Sequence, residues 1–112
     1  MQPNDSQQRI DQLESRVKDL EAKVEQRAID AAYMYIHYNW TLIRWFLMRD
    51  QDRAGEGSEV YVLAKNAETA IRDRLAPNLR AVQFADDPMA VAYKWRIETT
   101  VTLNQHRYTF FD

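Results

Sequence analysis

Met89-Ala90-Val91-Ala92-Tyr93-Lys94-Trp95-Arg96-Ile97-Glu98-Thr99-Thr100-Val101-Thr102-Leu103 is the stretch on which the fold class turns. Met89, Val91, Tyr93, Trp95, Ile97, Thr99, Val101 and Leu103 take every second position, with Ala90, Ala92, Lys94, Arg96, Glu98, Thr100 and Thr102 between them. Period-two alternation is the mark of a strand with one buried face. Asn104-Gln105 then reads as a two-residue turn. That turn sets Leu103 opposite His106, Val101 opposite Tyr108 and Thr99 opposite Phe110. Tyr108 and Phe110 thus fall on the apolar face, so the register is self-consistent. Upstream, residues 79–85 read as a further strand, with Asp86-Asp87-Pro88 as its turn. The expected C-terminal third is a three-stranded antiparallel β-meander packed by its apolar face on helices. The expected fold class is therefore α+β. The middle strand is longer than most and is expected to bend or break. The last strand, residues 106–111, is an edge suited to pairing with another chain.

N-terminal to the meander, Ser58 can cap a helix whose stripe is Val60, Leu63, Ala64, Ala67, Ile71 and Leu75. Pro77 and Asn78 are expected to end it. Before it, residues 49–58 hold both glycines of the chain and read as a loop. A loop of that kind between two helices predicts an antiparallel helical hairpin. The first helix of the hairpin is apolar on most sides: Tyr33, Met34, Tyr35, Ile36, Tyr38, Trp40, Leu42, Ile43, Trp45, Phe46, Leu47 and Met48. Such a helix needs cover on several faces, from its own chain or from a partner.

The same helix starts far upstream. No Pro or Gly lies between Pro3 and Gly55, and Asn4, Asp5 or Ser6 can cap its start. Ile10, Leu13, Val17, Leu20 and Val24 follow the 3-4 spacing of a heptad seam, β-branched at a and Leu at d, which favours a parallel two-stranded coil. Arg9, Arg16 and Lys23 fall at g, and Glu14, Glu21 and Ala28 at e. In a parallel pair Arg9 meets Glu14 and Arg16 meets Glu21, both attractive. In an antiparallel pair g meets g and e meets e, which repel. The register continues with Ala31, Tyr38 and Trp45 at a, and Arg27, Met34, Thr41 and Met48 at d; Arg27 is a poor seam residue and marks where the narrow coil ends. The expected organisation is an oligomerisation stem over residues 1–27 and one α+β head over residues 28–112. The expected assembly is a parallel homodimer, with a trimer as the alternative, because two and a half heptads settle the number poorly and need help from the head.

Composition narrows the class. The chain has 112 residues, 46% of them apolar, no Cys, and a formal charge of −2. One domain fits that length. Absence of Cys excludes a disulfide framework, thiolate metal sites and a cysteine nucleophile. The first thirty residues contain no apolar run of signal-peptide type. Residues 28–48 are apolar but carry Asp30, His37, Asn39 and Arg44, leaving a core too short for the roughly 20 residues of a membrane span. Asn39-Trp40-Thr41 matches a glycosylation sequon by chance. The expected location is cytoplasmic, with no membrane partner.

Chemistry-bearing motifs are lacking. There is no glycine-rich phosphate loop, GxSxG or HExxH. Asp30 and His37 lie two helical turns apart and can be drawn as an acid–base pair; the competing reading of His37 is a helix-edge residue bonded locally. A metal site would require His37, His106 and a carboxylate to converge. No cofactor, metal or catalytic residue is expected, and the chain is read as non-enzymatic. Trp40 with Arg44, and Trp45 with Arg49, are i,i+4 pairs able to stack a guanidinium on an indole. With Arg53 they form the expected partner-binding surface, since Trp and Arg dominate interface hot spots. The expected function is an oligomeric protein-interaction module acting as an adaptor, an inhibitor or an assembly component. One alternative is nucleic-acid binding through Arg44, Arg49, Arg53, Arg72, Arg74 and Arg80. Asp50, Asp52, Glu56, Glu68 and Asp73 lie among those arginines and weigh against it. The other alternative is a small-ligand pocket or minor enzyme between the aromatic helix and the sheet.

Overall fold

The computed structural model describes residues 3–107. Among them the chain forms three helices and no strand: α1 over Pro3–Ala54, α2 over Glu59–Phe84 and α3 over Pro88–Gln105. The expected α+β class and its meander are therefore overturned. The fold is all-α, a three-helix bundle on a long first helix.

The correction is sharpest at residues 89–103, which are α3. On a helix, every-second residues scatter around the axis, and the stripe that counts is Ala92, Trp95, Thr99, Thr102 and Leu103, all buried. Three of its members are Ala or Thr, so the stripe is faint in the sequence. Thr99 donates its hydroxyl to the Trp95 carbonyl at 2.7 Å, and Thr102 does the same to Glu98 at 2.8 Å. Each hydroxyl is thus satisfied within its own helix and can be buried. Of the residues expected on the buried face of a strand, Trp95, Thr99 and Leu103 are buried but Tyr93, Ile97 and Val101 point outward. Asp87 caps α3 by accepting from the Ala90 amide, with Pro88 in the first turn. A cap residue followed by Pro is a helix start, and here it replaces the expected strand turn.

Residues 79–85, the other expected strand, are mostly the last turns of α2, which runs through Pro77. Pro77 is exposed, so its ring meets solvent on the outer side. The Asn78 side chain donates to the Arg74 carbonyl at 2.7 Å in that turn. Leu79 and Val82 then extend the apolar stripe of α2 beyond the proline. Asn104 and Gln105 end α3 rather than forming a hairpin turn, and His106 and Arg107 follow as a turn with Arg107 at φ 56°. The expected pairings of Tyr108 and Phe110 lie outside the described residues, as does most of the expected edge strand.

The hairpin of the first two helices is present with a shorter connection. α1 continues to Ala54, so the loop is residues 55–58. Gly55 and Gly57 sit at φ 77° and 87°, the left-handed region that favours glycine. Ser58 caps α2, its Oγ accepting from the Tyr61 amide at 3.1 Å.

Three contacts give the packing directions. Gln51 bonds Glu68, so α2 runs antiparallel to α1. Tyr35 packs edge-to-face on Tyr93, with ring centroids 5.2 Å apart, and Asn39 accepts from Arg96 at 3.2 Å. These contacts advance together along both helices, so α3 runs parallel to α1. The core is Ile36, Trp40, Ile43 and Leu47 of α1, Ile71 and Val82 of α2, and Trp95 and Leu103 of α3. Buried alanines at 32, 64, 67 and 92 belong to the same core as the indoles of Trp40 and Trp95. The molecule measures 82 × 21 × 20 Å. A 52-residue helix is about 78 Å long at ~1.5 Å per residue, so α1 alone accounts for the long axis. The α2–α3 turn reaches α1 at Val24–Ile29, and the described residues N-terminal to that level are a single helix.

Candidate functional site

The exposed stem carries the seam. Ile10, Leu13, Val17, Leu20 and Val24 are between 48% and 64% exposed, although all five are large and apolar. They line open grooves along one side of α1, flanked by Glu14, Lys18 and Glu21. The grooves from Ile10 to Val24 are lined by α1 alone, and the end of α2 and start of α3 come beside it at Val24. Arg9 and Arg16 at g, and Glu14 and Glu21 at e, are likewise exposed.

Within the head, α1 has two apolar faces. Ala32, Ile36, Trp40, Ile43 and Leu47 hold the b, c and f positions of the stem's heptad and are the face packed on α2 and α3. The a and d positions lie on the opposite side. There Met34 is 72% exposed, Tyr38 71% and Trp45 57%, and Met48 is also exposed. The helix that looks apolar nearly all round in sequence is thus covered on one side only.

The expected partner-binding residues do not share one environment. Trp40 is 8% exposed and belongs to the core, with its edge reaching a shallow depression shared with Thr41, Arg44, Trp45 and Met48. Trp45, Arg44 and Arg53 are exposed, and Arg49 is half-buried. The Arg49 guanidinium lies 5.4 Å from the Trp45 ring centroid and 4.8 Å from that of Phe46, while pairing with Asp50 at 3.0 Å. The arginines of the alternative nucleic-acid cluster are partly spoken for: Arg72 pairs with Glu68, and Arg74 with Glu98.

His37 is exposed and stacks on Tyr33 at 6.4 Å, while Asp30 accepts from Gln26 at 2.9 Å. His106 closes the end of α3. Among the described residues, no three His, Asp or Glu side chains are grouped to hold a metal ion. No described helix is long and apolar enough to cross a membrane.

Two exposed apolar features escape the sequence reading. Tyr93, Ile97 and Val101 form an outward stripe on α3. The Asp87-Pro88 helix start, once accepted, places these three at i, i+4 and i+8. Phe84 is 85% exposed at the end of α2, in a groove it shares with Val24, Ala28 and Ile29. No local signal marks Phe84, because its exposure follows from where α2 ends against α1. No protein family, curated protein or solved structure matches this chain.

Proposed function

We propose that the chain is a non-enzymatic, self-associating interaction module of the cytoplasm. Two copies zip in parallel through the stem and present identical heads to another protein, as an adaptor, an inhibitor or an assembly component. The observation that carries this reading is the exposed seam from Ile10 to Val24, which the rest of its own chain comes beside only at Val24. Five large apolar side chains aligned in water favour association, since apolar burial yields ~25 cal/mol per Å². The flanking charges support a parallel arrangement through Arg9 with Glu14, and Arg16 with Glu21. A module presenting one surface twice gains avidity without any new contact. Trp45 and Arg44, with Arg49 lying over Trp45 and Arg53 beyond, supply residue types suited to a protein partner.

Sedimentation equilibrium of the full chain at tens of micromolar tests the self-association. The expected mass is twice the 13.3 kDa of one chain. Leu13→Glu with Leu20→Glu is expected to return the mass to that of one chain. A monomeric unmodified protein at that concentration overturns the proposal.

A further inference from the structure

We infer that the second copy lies along the whole of α1, so that Met34, Tyr38, Trp45 and Met48 pack against their own equivalents in the partner. This rests on the stem pairing proposed above and carries it into the head.

The heptad phase is unbroken. From Ile10 to Met48 the a and d positions keep their 3-4 spacing without a skip. Arg27 and Thr41 interrupt the apolar character but not the phase. A seven-residue repeat drifts ~20° per heptad on a straight helix, so two copies coiled left-handed about each other keep one seam from the stem through the head, while within the head the bundle core occupies the other side of the same helix.

The stem alone is too small an interface. A large aromatic side chain presents roughly 150–250 Å². Fully burying an aliphatic side chain removes roughly 60–120 Å² from water. The five stem residues are 48–64% exposed, so they bury about 500 Å² over two chains, below the ~1,200–2,000 Å² of a specific interface. Met34, Tyr38, Leu42, Trp45 and Met48, two of them aromatic and all 42–72% exposed, bring the total to about 1,300 Å², inside that range.

The flank of the seam changes in the same direction. The e positions are Glu14 and Glu21 in the stem, but Ala28, Tyr35 and Leu42 through most of the head, with Tyr35 also packed on Tyr93 and Arg49 closing the series. The stripe widens where the side chains on it become aromatic, which is the shape needed to enclose them.

A second copy also suits this face better than a different protein. Once the stems pair in parallel and in register, each Met34 is held close to the other Met34 at high effective concentration. A foreign helix would have to separate chains already joined. The assignment takes Trp45 into the homomer and leaves Arg44, Arg49 and Arg53 at its rim for a third party.

The chain has no cysteine, so single-cysteine variants of the full protein test the assignment directly. A disulfide needs Cα atoms within ~7 Å, a condition met by identical seam positions of a parallel pair and not by outward positions. Leu13→Cys reports on the stem. Met34→Cys, Tyr38→Cys and Met48→Cys report on the head. Asn66→Cys, exposed on α2, is the outward control. Under mild oxidation at dilute concentration, the stem variant and all three head variants are expected to become covalent dimers while the control stays monomeric. Cross-linking at Leu13 with none at the head positions overturns the extension and leaves the stem pairing intact. No cross-linking at any seam position removes both. Head cross-linking no faster than at Asn66 also overturns the extension, because it marks random collision.

Discussion

Gln51, in the last turn of α1, donates its amide Nε2 to the Glu68 carboxylate of α2 across 2.9 Å, and both residues are buried. Arg72, one turn further along α2, pairs with the other carboxylate oxygen. This is the polar clasp of the helical hairpin. A buried carboxylate that loses a donor keeps most of its desolvation cost, about 1–3 kcal/mol. Gln51→Leu is therefore expected to destabilise the chain by that amount. In thermal unfolding the midpoint should fall by roughly 4–8 °C for each kcal/mol lost.

α3 divides its sensitivity between Trp95 and Thr99. Trp95 is sealed among all three helices, and its indole Nε1 has no hydrogen-bond partner among the described residues. Trp95→Ala removes the largest fully buried side chain, and such truncations cost ~3–5 kcal/mol. The Thr99 hydroxyl bonds the Trp95 carbonyl of its own helix, so Thr99→Val keeps the shape, removes one hydrogen bond and is expected to cost about 0.5–1.5 kcal/mol. Denaturant titration followed by helical circular dichroism separates the two. Near-equal effects would mean that α3 is not packed through this face.

The tight connection after α1 depends on backbone conformation alone. A Cβ added at Gly55 would meet nothing within 4 Å, yet the residue sits at φ 77°. Gly55→Ala is therefore expected to cost about 1–2 kcal/mol through the left-handed conformation. Gly55→Asn is expected to cost less, because Asn tolerates that region. Equilibrium unfolding of the two variants checks the order.

Arg44 at g and Arg49 at the following e face each other across the proposed parallel pair as like charges. Arg44→Glu turns that contact attractive and is expected to tighten the dimer by ~0.2–1 kcal/mol, as exposed ion pairs do. Asp50, already beside Arg49, holds the gain near the lower end. Sedimentation at low micromolar concentration should show the shift, and it should fade as salt is raised. A weaker dimer in this variant would argue against parallel pairing through the head.

The long first helix and its exposed apolar stripe are legible in the sequence because the pattern repeats within a heptad; the pairing of two such stripes is the proposal made above. Ile10 to Val24 repeat on one side, and Arg9, Glu14, Arg16 and Glu21 flank them. The helical hairpin is legible for a similar reason, since Ser58 caps α2 and the two glycines mark the turn. Its details are not. Arg49 to Ala54 remain helical because Gln51 finds Glu68 on the returning helix. Pro77 is passed because its ring faces solvent while Leu79 and Val82 still reach the core. The arginine and tryptophan pairs are visible as i,i+4 neighbours. Nothing local shows that Trp40 turns inward and Trp45 outward, because that division depends on where α2 and α3 dock.

Residues 89–103 mark the boundary between the two kinds of information. Their alternation fits a strand, and their Ala92, Trp95, Thr99, Thr102 and Leu103 spacing fits a helix. Heptad phase, charge pattern, caps and glycine turns follow from interactions within about one helical turn, so they can be read along the chain. The choice of helix for α3, and of which face of α1 is covered, depends on packing between residues far apart in the chain, such as Tyr35 and Tyr93. Burial of Trp95 against α1 and α2 stabilises the helical arrangement, and a side-chain period read on one segment contains no record of that contact.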